Sequence, residues 1–316
     1  MAQPNINQVH IDRPLTNISV AYIQSQTNFV ASRVFPVVPV DKKSDTYFVY
    51  TKNDWLRDEA QRRAPATESA GSGYGLSTAS YSAEVWAFHK DVDDQTRANS
   101  DSPLSPDRDA TQFVTSRMLL RQEKQWAADF FVTGVWGTST TPSNLWSNYS
   151  TSDPIEDIEA GKQTILTNTG FMPNTLTLGY PVFRQLKNHP DIVDRIKYTS
   201  SENITTEMLA RLFELDNVYV AMATNATNVE GETAAYSLIQ GKHALLAYVN
   251  PSPGLLAPSA GYTFNWTGIS GGLGTNIGVS RFRIDEIKAD RIEAEMAWDN
   301  KLVATDLGYM FVDVVS

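Results

Sequence analysis

The feature that most constrains the fold is a predicted helix of unusual length. Residues 106–131 contain no glycine and no proline after Pro106, which suits the first helical position. Ser105 can cap the helix, and Asp107 and Asp109 complement the positive end of its dipole. At about 1.5 Å per residue the helix is roughly 39 Å long. Its apolar residues lie towards both ends and the central RQEK is charged, so we expect the middle to be partly exposed. The two predicted apolar lines are Phe113, Leu120, Ala127 and Phe131, and Leu119, Trp126 and Phe130.

A second constraint is a pair of strand-like segments before this helix. Residues 46–52 (TYFVYTK) and 76–92 (LSTASYSAEVWAFHKDV) are rich in aromatic and β-branched residues. The polar stretch between them ends in Gly71, Gly73 and Gly75, so we predict an extended hairpin over residues 46–92. A two-stranded ribbon is marginally stable alone and has open edges. We therefore expect this hairpin to lie on a neighbouring subunit.

The rest of the sequence predicts an α+β fold. A helix capped by Asn17 belongs to an N-terminal arm, and Pro36 and Pro39 make the following FPVVPV extended. Helices and strands alternate from Asp153 to about Asn250. Loops and long strands follow, and the last predicted strand is GYMFVDVV.

Composition excludes several classes of protein. The net charge is −10 and no basic stripe is present, which argues against tight binding to nucleic acid. No apolar run is long enough to span a membrane, and the N-terminus lacks the features of a signal peptide. Synthesis in a cytoplasm is the default expectation. The absence of cysteine excludes disulfides and thiolate sites.

The short motifs do not form a catalytic, cofactor or metal site. A phosphate loop precedes a helix, whereas Gly71, Gly73 and Gly75 precede a predicted strand. Gly268-Ile-Ser270-Gly-Gly272 fits G-x-S-x-G, yet no helix is predicted after it and the last histidine, His243, precedes it. A hydrolase using Ser270 is therefore rejected. The DVDD at 91–94 lacks the glycine and the later glutamate of a calcium loop, so we interpret it as a solvated turn.

The order of these segments resembles that of the major capsid proteins of tailed double-stranded DNA bacteriophages, which have the Hong Kong 97-type fold. The resemblance is carried by LTNISVAYIQSQTNFVASRVFPVVPV, by the axial-domain-like PNTLTLGYPVFRQLKNHPDIVDRIKY, and by the closing AEMAWDNKLVATDLGYMFVDVV. It implies an N-terminal arm (1–45), an extended loop (46–92) and an axial domain (153–257). The peripheral domain would comprise 93–152 and 258–316, with a spine helix at about 106–131 and a last strand free to return to the axial domain.

The resemblance also implies a function. Hexamers and pentamers of a non-enzymatic protein without cofactors would close an icosahedral shell around the phage genome, enclosing DNA without sequence-specific binding. The shell would be assembled in the bacterial cytoplasm and form the virion capsid. Because the arm begins at Met1, we expect any scaffolding protein to be separate; portal and decoration proteins are further possible partners. Intersubunit contacts are expected from the extended loop, at Trp55, Arg57, Glu59, Arg62, Arg63, Gly71, Gly73, Gly75, Tyr81 and Trp86.

Two alternatives stay open. An encapsulin-like compartment uses the same fold to hold a protein cargo, and a monomeric binding module would have to explain the exposed hairpin. Some capsid proteins of this family cross-link an extended-loop lysine to a neighbour. No lysine occurs between Asn53 and His89, so we expect a shell held by noncovalent contacts.

Overall fold

The computed structural model describes residues 24–100, 104–196, 204–254, 256–269 and 277–316. The chain forms two compact units. The smaller unit takes the described parts of Met1–Gln26, Trp86–Leu119 and Ile269–Met296. The larger unit takes those of Thr27–Val85, Leu120–Gly268 and Ala297–Ser316. The start of the predicted Asn17 helix and the Ser270 motif lie outside the described residues.

The helices follow the predicted order. They are α1 (Ala31–Val34), α2 (Lys52–Trp55), α3 (Asp94–Ala98), α4 (Pro106–Phe130), α5 (Pro154–Thr169), α6 (Tyr180–Asn188), α7 (Pro190–Ile196) and α8 (Thr206–Leu212). Local signals set their ends: the Asp153 carboxylate accepts hydrogen bonds from the first turn of α5, and Gly170 (φ 77°) ends that helix. We predicted α8 to reach residue 215, but it stops at Leu212, and Glu214 adopts a left-handed φ of 56°.

The strands are short except in the hairpin region and near the C-terminus. They are β1 (Val37–Val40), β2 (Ser44–Tyr50), β3 (Leu76–Ser82), β4 (Glu84–Asp93), β5 (Thr138–Thr140), β6 (Thr175–Gly179), β7 (Asn217–Ala221), β8 (Thr224–Ala226), β9 (Tyr236–Leu238), β10 (Ala244–Ala247), β11 (Gly261–Trp266), β12 (Gly278–Ile284), β13 (Ala289–Leu302) and β14 (Gly308–Phe311). None of the described helices is long and apolar enough to cross a lipid bilayer.

The larger unit is built on a mixed sheet in the order β5-β14-β10-β6-β7. Every residue of β6, β10 and β14 is buried, as expected for strands covered on both faces. The last strand, β14, pairs with β10 and β5. A second sheet in this unit joins β1 to β11 in parallel and β11 to the C-terminal part of β13 in antiparallel.

The smaller unit joins β12 to the N-terminal part of β13 in an antiparallel pair. An ionic network ties these strands to α3 and to the start of α4. Arg283 contacts Asp94 through two hydrogen bonds of 2.6 Å. Arg97 contacts Asp107 at 2.8 Å and Asp290 at 3.0 Å. The ion pairs of this network therefore hold β12, β13, α3 and the start of α4 together.

Two predictions about the long elements need correction. The predicted apolar lines of α4 hold only at its C-terminal end, where Trp126, Ala127, Phe130 and Phe131 are buried. They are wrong in the N-terminal part and the middle, because Phe113 is 39% exposed while Glu123, in the charged middle, is completely buried. The buried face instead follows Ala110, Val114, Met118, Gln122, Glu123, Trp126, Ala127 and Phe130. The predicted strand over residues 76–92 is broken at Ala83, whose N–H donates to the Lys43 carbonyl at 2.8 Å.

Candidate assembly surface

The hairpin strands β2 and β3 pair from Ser44 opposite Ser82 to Tyr50 opposite Leu76. Directly opposite residues share a face, and successive residues alternate. Tyr47 and Tyr81 therefore lie on the inner face. Phe48, Tyr50 and Leu76 lie on the outer face.

The inner face is anchored on β11. The Tyr81 ring stacks on Phe264 with a centroid distance of 4.6 Å, and Tyr47 lies 5.6 Å from the same ring. At the root of the hairpin the Ser82 N–H donates to the Asp299 carboxylate at 2.7 Å. These contacts hold the base of the hairpin on the body of its own subunit.

A neck closes the far end of the paired strands. The Thr51 N–H donates to the Gly75 carbonyl at 3.2 Å, and the Gly75 N–H donates to the Asp54 carboxylate at 2.8 Å. A Cβ at residue 75 would lie 2.7 Å from Thr51 Oγ1, so a larger residue there would force the Thr51 side chain to move. A Cβ at Gly71 or Gly73 would have no atom within 4 Å. The neck explains Gly75, whereas the other two glycines meet no steric limit.

An exposed apolar surface covers the outer face and the neck. Its members Phe48, Trp55, Leu56, Tyr74 and Leu76 each expose between 51% and 63% of their surface. The rings of Tyr50, Trp55 and Tyr74 lie 5.6 to 5.9 Å apart and support one another. We call these six residues (Phe48, Tyr50, Trp55, Leu56, Tyr74 and Leu76) the loop patch. Contiguous exposed apolar surface of this kind marks contact sites in soluble proteins.

The charged residues of the loop lie beyond the neck. Arg57 pairs with Glu59 at 3.1 Å. Hydrogen bonds from the Ser72 hydroxyl and then from Arg57 hold the pKa of the Glu59 carboxyl below its usual value. Arg63 donates to the Thr67 carbonyl, and Arg62 is exposed. This exposed part of the loop therefore presents both signs of charge next to the loop patch.

Two predicted contact residues lie elsewhere. Tyr81 is 7% exposed, because its ring is covered by Phe264 of its own chain, so it supports the hairpin from below. Trp86 lies on β4 after the break at Ala83, in the smaller unit, and is half-buried. The sequence analysis missed Phe48, Leu56, Tyr74 and Leu76. Phe48 and Leu76 could have been found from the sequence, because apolar residues stand on both alternating faces of these strands and only one face can pack on the subunit.

One serine and one histidine lie close together and merit a chemical test. Ser152 Oγ is 3.0 Å from His189 Nε2, and the Asp191 N–H lies 3.4 Å from His189 Nδ1. The Asp191 carboxylate also lies 3.5 Å from Nδ1. The serine hydroxyl donates to the Asn148 carbonyl at 2.7 Å. A serine nucleophile directs its proton to the general base, whereas this hydroxyl directs it to a backbone carbonyl, so the pair is not arranged for catalysis. His189 lies in the turn at the end of α6.

The DVDD segment is not the solvated turn that we predicted. Asp91 forms a two-bond ion pair with Arg291 at 2.8 and 2.9 Å. Asp93 caps α3 by accepting from the Thr96 N–H, and Asp94 pairs with Arg283. Within the described ranges no cluster of three or more histidine, aspartate or glutamate side chains is arranged to hold a metal ion.

Comparison with known proteins decides what kind of protein carries this surface. No family model matches the sequence. The major capsid protein of Burkholderia phage BcepMu is 26% identical over 309 residues, covering 95% of each chain. A phage-related protein from Bordetella bronchiseptica RB50 has a TM-score of 0.69 at 24% identity, covering 92% of this chain and 93% of that one. The capsid protein of cyanophage P-SCSP1u has a TM-score of 0.60 at 9% identity, covering 98% and 94%.

The chain is a capsid protein of the Hong Kong 97 type. The fold also occurs outside phages, since the SrpI encapsulin of Synechococcus elongatus PCC 7942 has a TM-score of 0.59 at 12% identity, covering 100% of this chain and 98% of that one. As a structural capsid protein, it presents the loop patch as a candidate contact surface between subunits.

Proposed function

We propose that this capsid protein forms the head of a tailed bacteriophage, assembling as hexamers and pentamers into a closed icosahedral shell that encloses double-stranded DNA. The observation that carries the proposal is the loop patch, an exposed apolar surface on the outer face and neck of a hairpin whose inner face packs on its own subunit. Burying such a patch on a neighbour removes apolar area from water at about 25 cal/mol per Å². The shell encloses DNA without reading its sequence, as the net charge of −10 favours.

The four-part division of the chain belongs to this proposal. The arm (1–45), the extended loop (46–92), the peripheral domain (93–152 and 258–316) and the axial domain (153–257) are assigned by analogy with the fold. Supporting features are the hairpin of β2 and β3, the length of α4, and the pairing of β14 with β10. Separate scaffolding, portal and decoration proteins would complete the particle, which assembles in the host cytoplasm.

Electron microscopy of the purified protein tests shell formation directly. The loop patch is tested by the double variant Trp55→Ser/Tyr74→Ser, which leaves the inner face of the hairpin intact. We expect folded subunits and at least tenfold fewer closed shells. The matched control is Val229→Ser/Tyr236→Ser, which removes two equally exposed apolar residues from the β8–β9 hairpin. Normal shells from the loop variant, or an equal loss in the control, would contradict the role of the loop patch.

The second candidate function is a compartment for a protein cargo, which the similarity to the SrpI encapsulin favours. The contents of purified particles separate the two. Nuclease-protected double-stranded DNA supports a phage head. A copurifying enzyme without protected DNA supports a cargo compartment.

A further inference from the structure

A buried carboxylate joins the middle of α4 to the N-terminal segment of the larger unit, residues 27–35. Glu123 is completely buried. Its Oε2 accepts hydrogen bonds from the backbone N–H groups of Val30 at 2.9 Å and Ala31 at 2.8 Å. Its Oε1 accepts from the side-chain amide of Gln240. Three donors from two distant parts of the chain thus meet on one carboxyl group.

The N-terminal segment is otherwise held by apolar packing. Its side chains at Phe29, Val30, Ala31, Val34 and Phe35 are buried. The Phe35 ring lies 4.6 Å from Phe130 of α4 in an edge-to-face contact. The Asn28 carbonyl accepts from the Met222 N–H at 3.2 Å. Glu123 is therefore the buried charged group in an attachment that consists mainly of apolar contacts.

Among the residues that the structure describes, the Glu123 carboxyl has no cationic partner. On the N-terminal segment Arg33 donates to the Thr27 carbonyl and lies over the Tyr219 ring. On α4, Arg121 donates to Gln125 and Lys124 is exposed. Beyond Gln240, Lys242 is exposed, and the His243 ring nitrogen accepts from the Asp313 N–H. Burial raises the pKa of Glu123 to about 7, and the hydrogen bonds from Ala31, Gln240 and Val30 offset that rise only in part.

The amide next to Glu123 suits a neutral acid as well as a carboxylate. The Gln240 Oε1 atom is buried and has no hydrogen-bond partner among the described residues. Rotation of this amide by half a turn places Oε1 opposite the Glu123 carboxyl, where it accepts from a protonated Oε1–H. The Gln240 acceptor is then satisfied, the amide NH2 takes the buried position that Oε1 leaves, and the second glutamate oxygen still accepts from Val30 and Ala31.

We propose that Glu123 is a proton-controlled latch for the N-terminal segment: the neutral acid holds residues 27–35 against α4, and loss of its proton weakens that attachment. The ionised carboxylate is the form that prefers water, which it reaches only when the segment opens. The latch concerns the folded subunit and does not depend on shell formation, so its test and the test of the proposed function fail separately.

The direction of the pH effect follows from linkage. A carboxyl whose pKa is higher in the closed state than in the open state binds its proton more tightly when closed. Its contribution to closure is complete below pH 4.5, the ordinary value, and is lost as pH rises through about 7. Between pH 5.5 and 8.5 the opening constant of the segment should rise roughly thirtyfold.

Hydrogen–deuterium exchange of the full chain tests the latch. Peptides that cover residues 27–35 are followed from pH 5.5 to 8.5, with rates corrected for the intrinsic pH dependence of exchange. We expect wild-type protection to fall roughly thirtyfold over this range. In Glu123→Gln we expect protection about tenfold above that of the wild type at pH 5.5 and constant up to pH 8.5, because the new amide does not ionise and donates to Gln240 Oε1. Glu156→Gln, the same change at an exposed helix position, should keep the wild-type pH dependence.

A second measurement needs no variant. Infrared difference spectra of the wild type should show a carboxylic acid C=O band at pH 5.5 that disappears with a midpoint near pH 7. The absence of this band, a flat exchange profile in the wild type, or a Glu123→Gln segment that exchanges faster than the wild type at pH 5.5 would each overturn the latch.

Discussion

At the scale of single residues, the strictest limit on which residue can occupy a position is the close approach of two backbone segments. Gly179 ends the buried strand β6, and a Cβ built there would lie 2.1 Å from the Gly241 carbonyl oxygen. A carbonyl oxygen belongs to the backbone and cannot rotate away as a side chain can. A Cβ at Gly71 would have no atom within 4 Å, and the backbone conformation there is one that other residues adopt.

These two glycines make a matched pair for substitution. Gly179→Ala should destabilise the subunit by about 3 kcal/mol, because the clash can be relieved only by moving two backbone segments. Gly71→Ala should change stability by less than about 1 kcal/mol, in the stabilising direction, because it restricts only the unfolded chain. Urea unfolding of the unassembled subunits, followed by tryptophan fluorescence, measures both. Equal stability of the two variants would contradict the packing of β6 against residue 241.

Residue-level prediction from sequence worked where local geometry decides and failed where tertiary contacts decide. The Asp153 cap, Gly170 and the turn at His189 follow from neighbouring residues alone. Glu123 does not, because a glutamate between Gln122 and Lys124 is normally solvated. Its burial depends on donors 92 and 93 residues away in the chain. Tyr81 was likewise assigned to a contact surface, because the sequence does not show that Phe264 covers it.

At the scale of elements, strand and helix identities were predictable and their exact faces were not. The start of α4 follows from Pro106 and its acidic first turn. Its buried face was predicted correctly only at the C-terminal end, since the helix has a weak apolar periodicity and packs through Gln122 and Glu123 as well as through apolar residues. The hairpin was predicted as one ribbon to residue 92. The pairing of β2 with β3 ends at Ser82, and a break at Ala83 separates β3 from β4. No local sequence signal marks that break.

The ionic network gives the smaller unit a distinct response to acid. Hydrogen bonds from Arg291 lower the pKa of Asp91, those from Arg283 lower that of Asp94, and those from Arg281 lower that of Asp290. Carboxyls with lowered pKa values contribute stability above their unfolded value of about 3.9 and lose it as pH falls through the lower folded value. This loss of stability occurs at a lower pH than the titration of Glu123. It accompanies a fall in pH, whereas the contribution of Glu123 is lost as pH rises.

A charge-removing variant tests the network. Asp91→Asn should lower the thermal midpoint at pH 7 by about 2 °C and flatten the fall of that midpoint between pH 4 and pH 3. Asp285→Asn is the control, because that side chain is 94% exposed and only 3.4 Å contacts link it to Arg283. Calorimetry at both pH values gives the comparison. An equal effect of the two variants would show that the two-bond geometry at Arg291 adds nothing.

At the scale of the whole molecule, the chemistry of the side chains limits how subunits are joined. The chain has no cysteine, and no lysine occurs between Asn53 and His89. Lys52, at the neck, is paired with Asp306 of its own chain. We expect assembled particles to run as a single band of 35.0 kDa after boiling in detergent, with or without a reducing agent. A ladder of covalent oligomers on the denaturing gel would contradict this.

The neck of the hairpin separates the reach of a shell subunit from the stability of that subunit. Because Thr51, Asp54 and Gly75 bring both ends of residues 56–74 together, the length of that segment has little effect on the strands below it. Doubling a flexible segment between fixed ends costs only about 0.6 kcal/mol. Insertions there extend how far a subunit reaches without altering the subunit's own stability. Reach and stability are thus encoded by different residues, and each is free to vary.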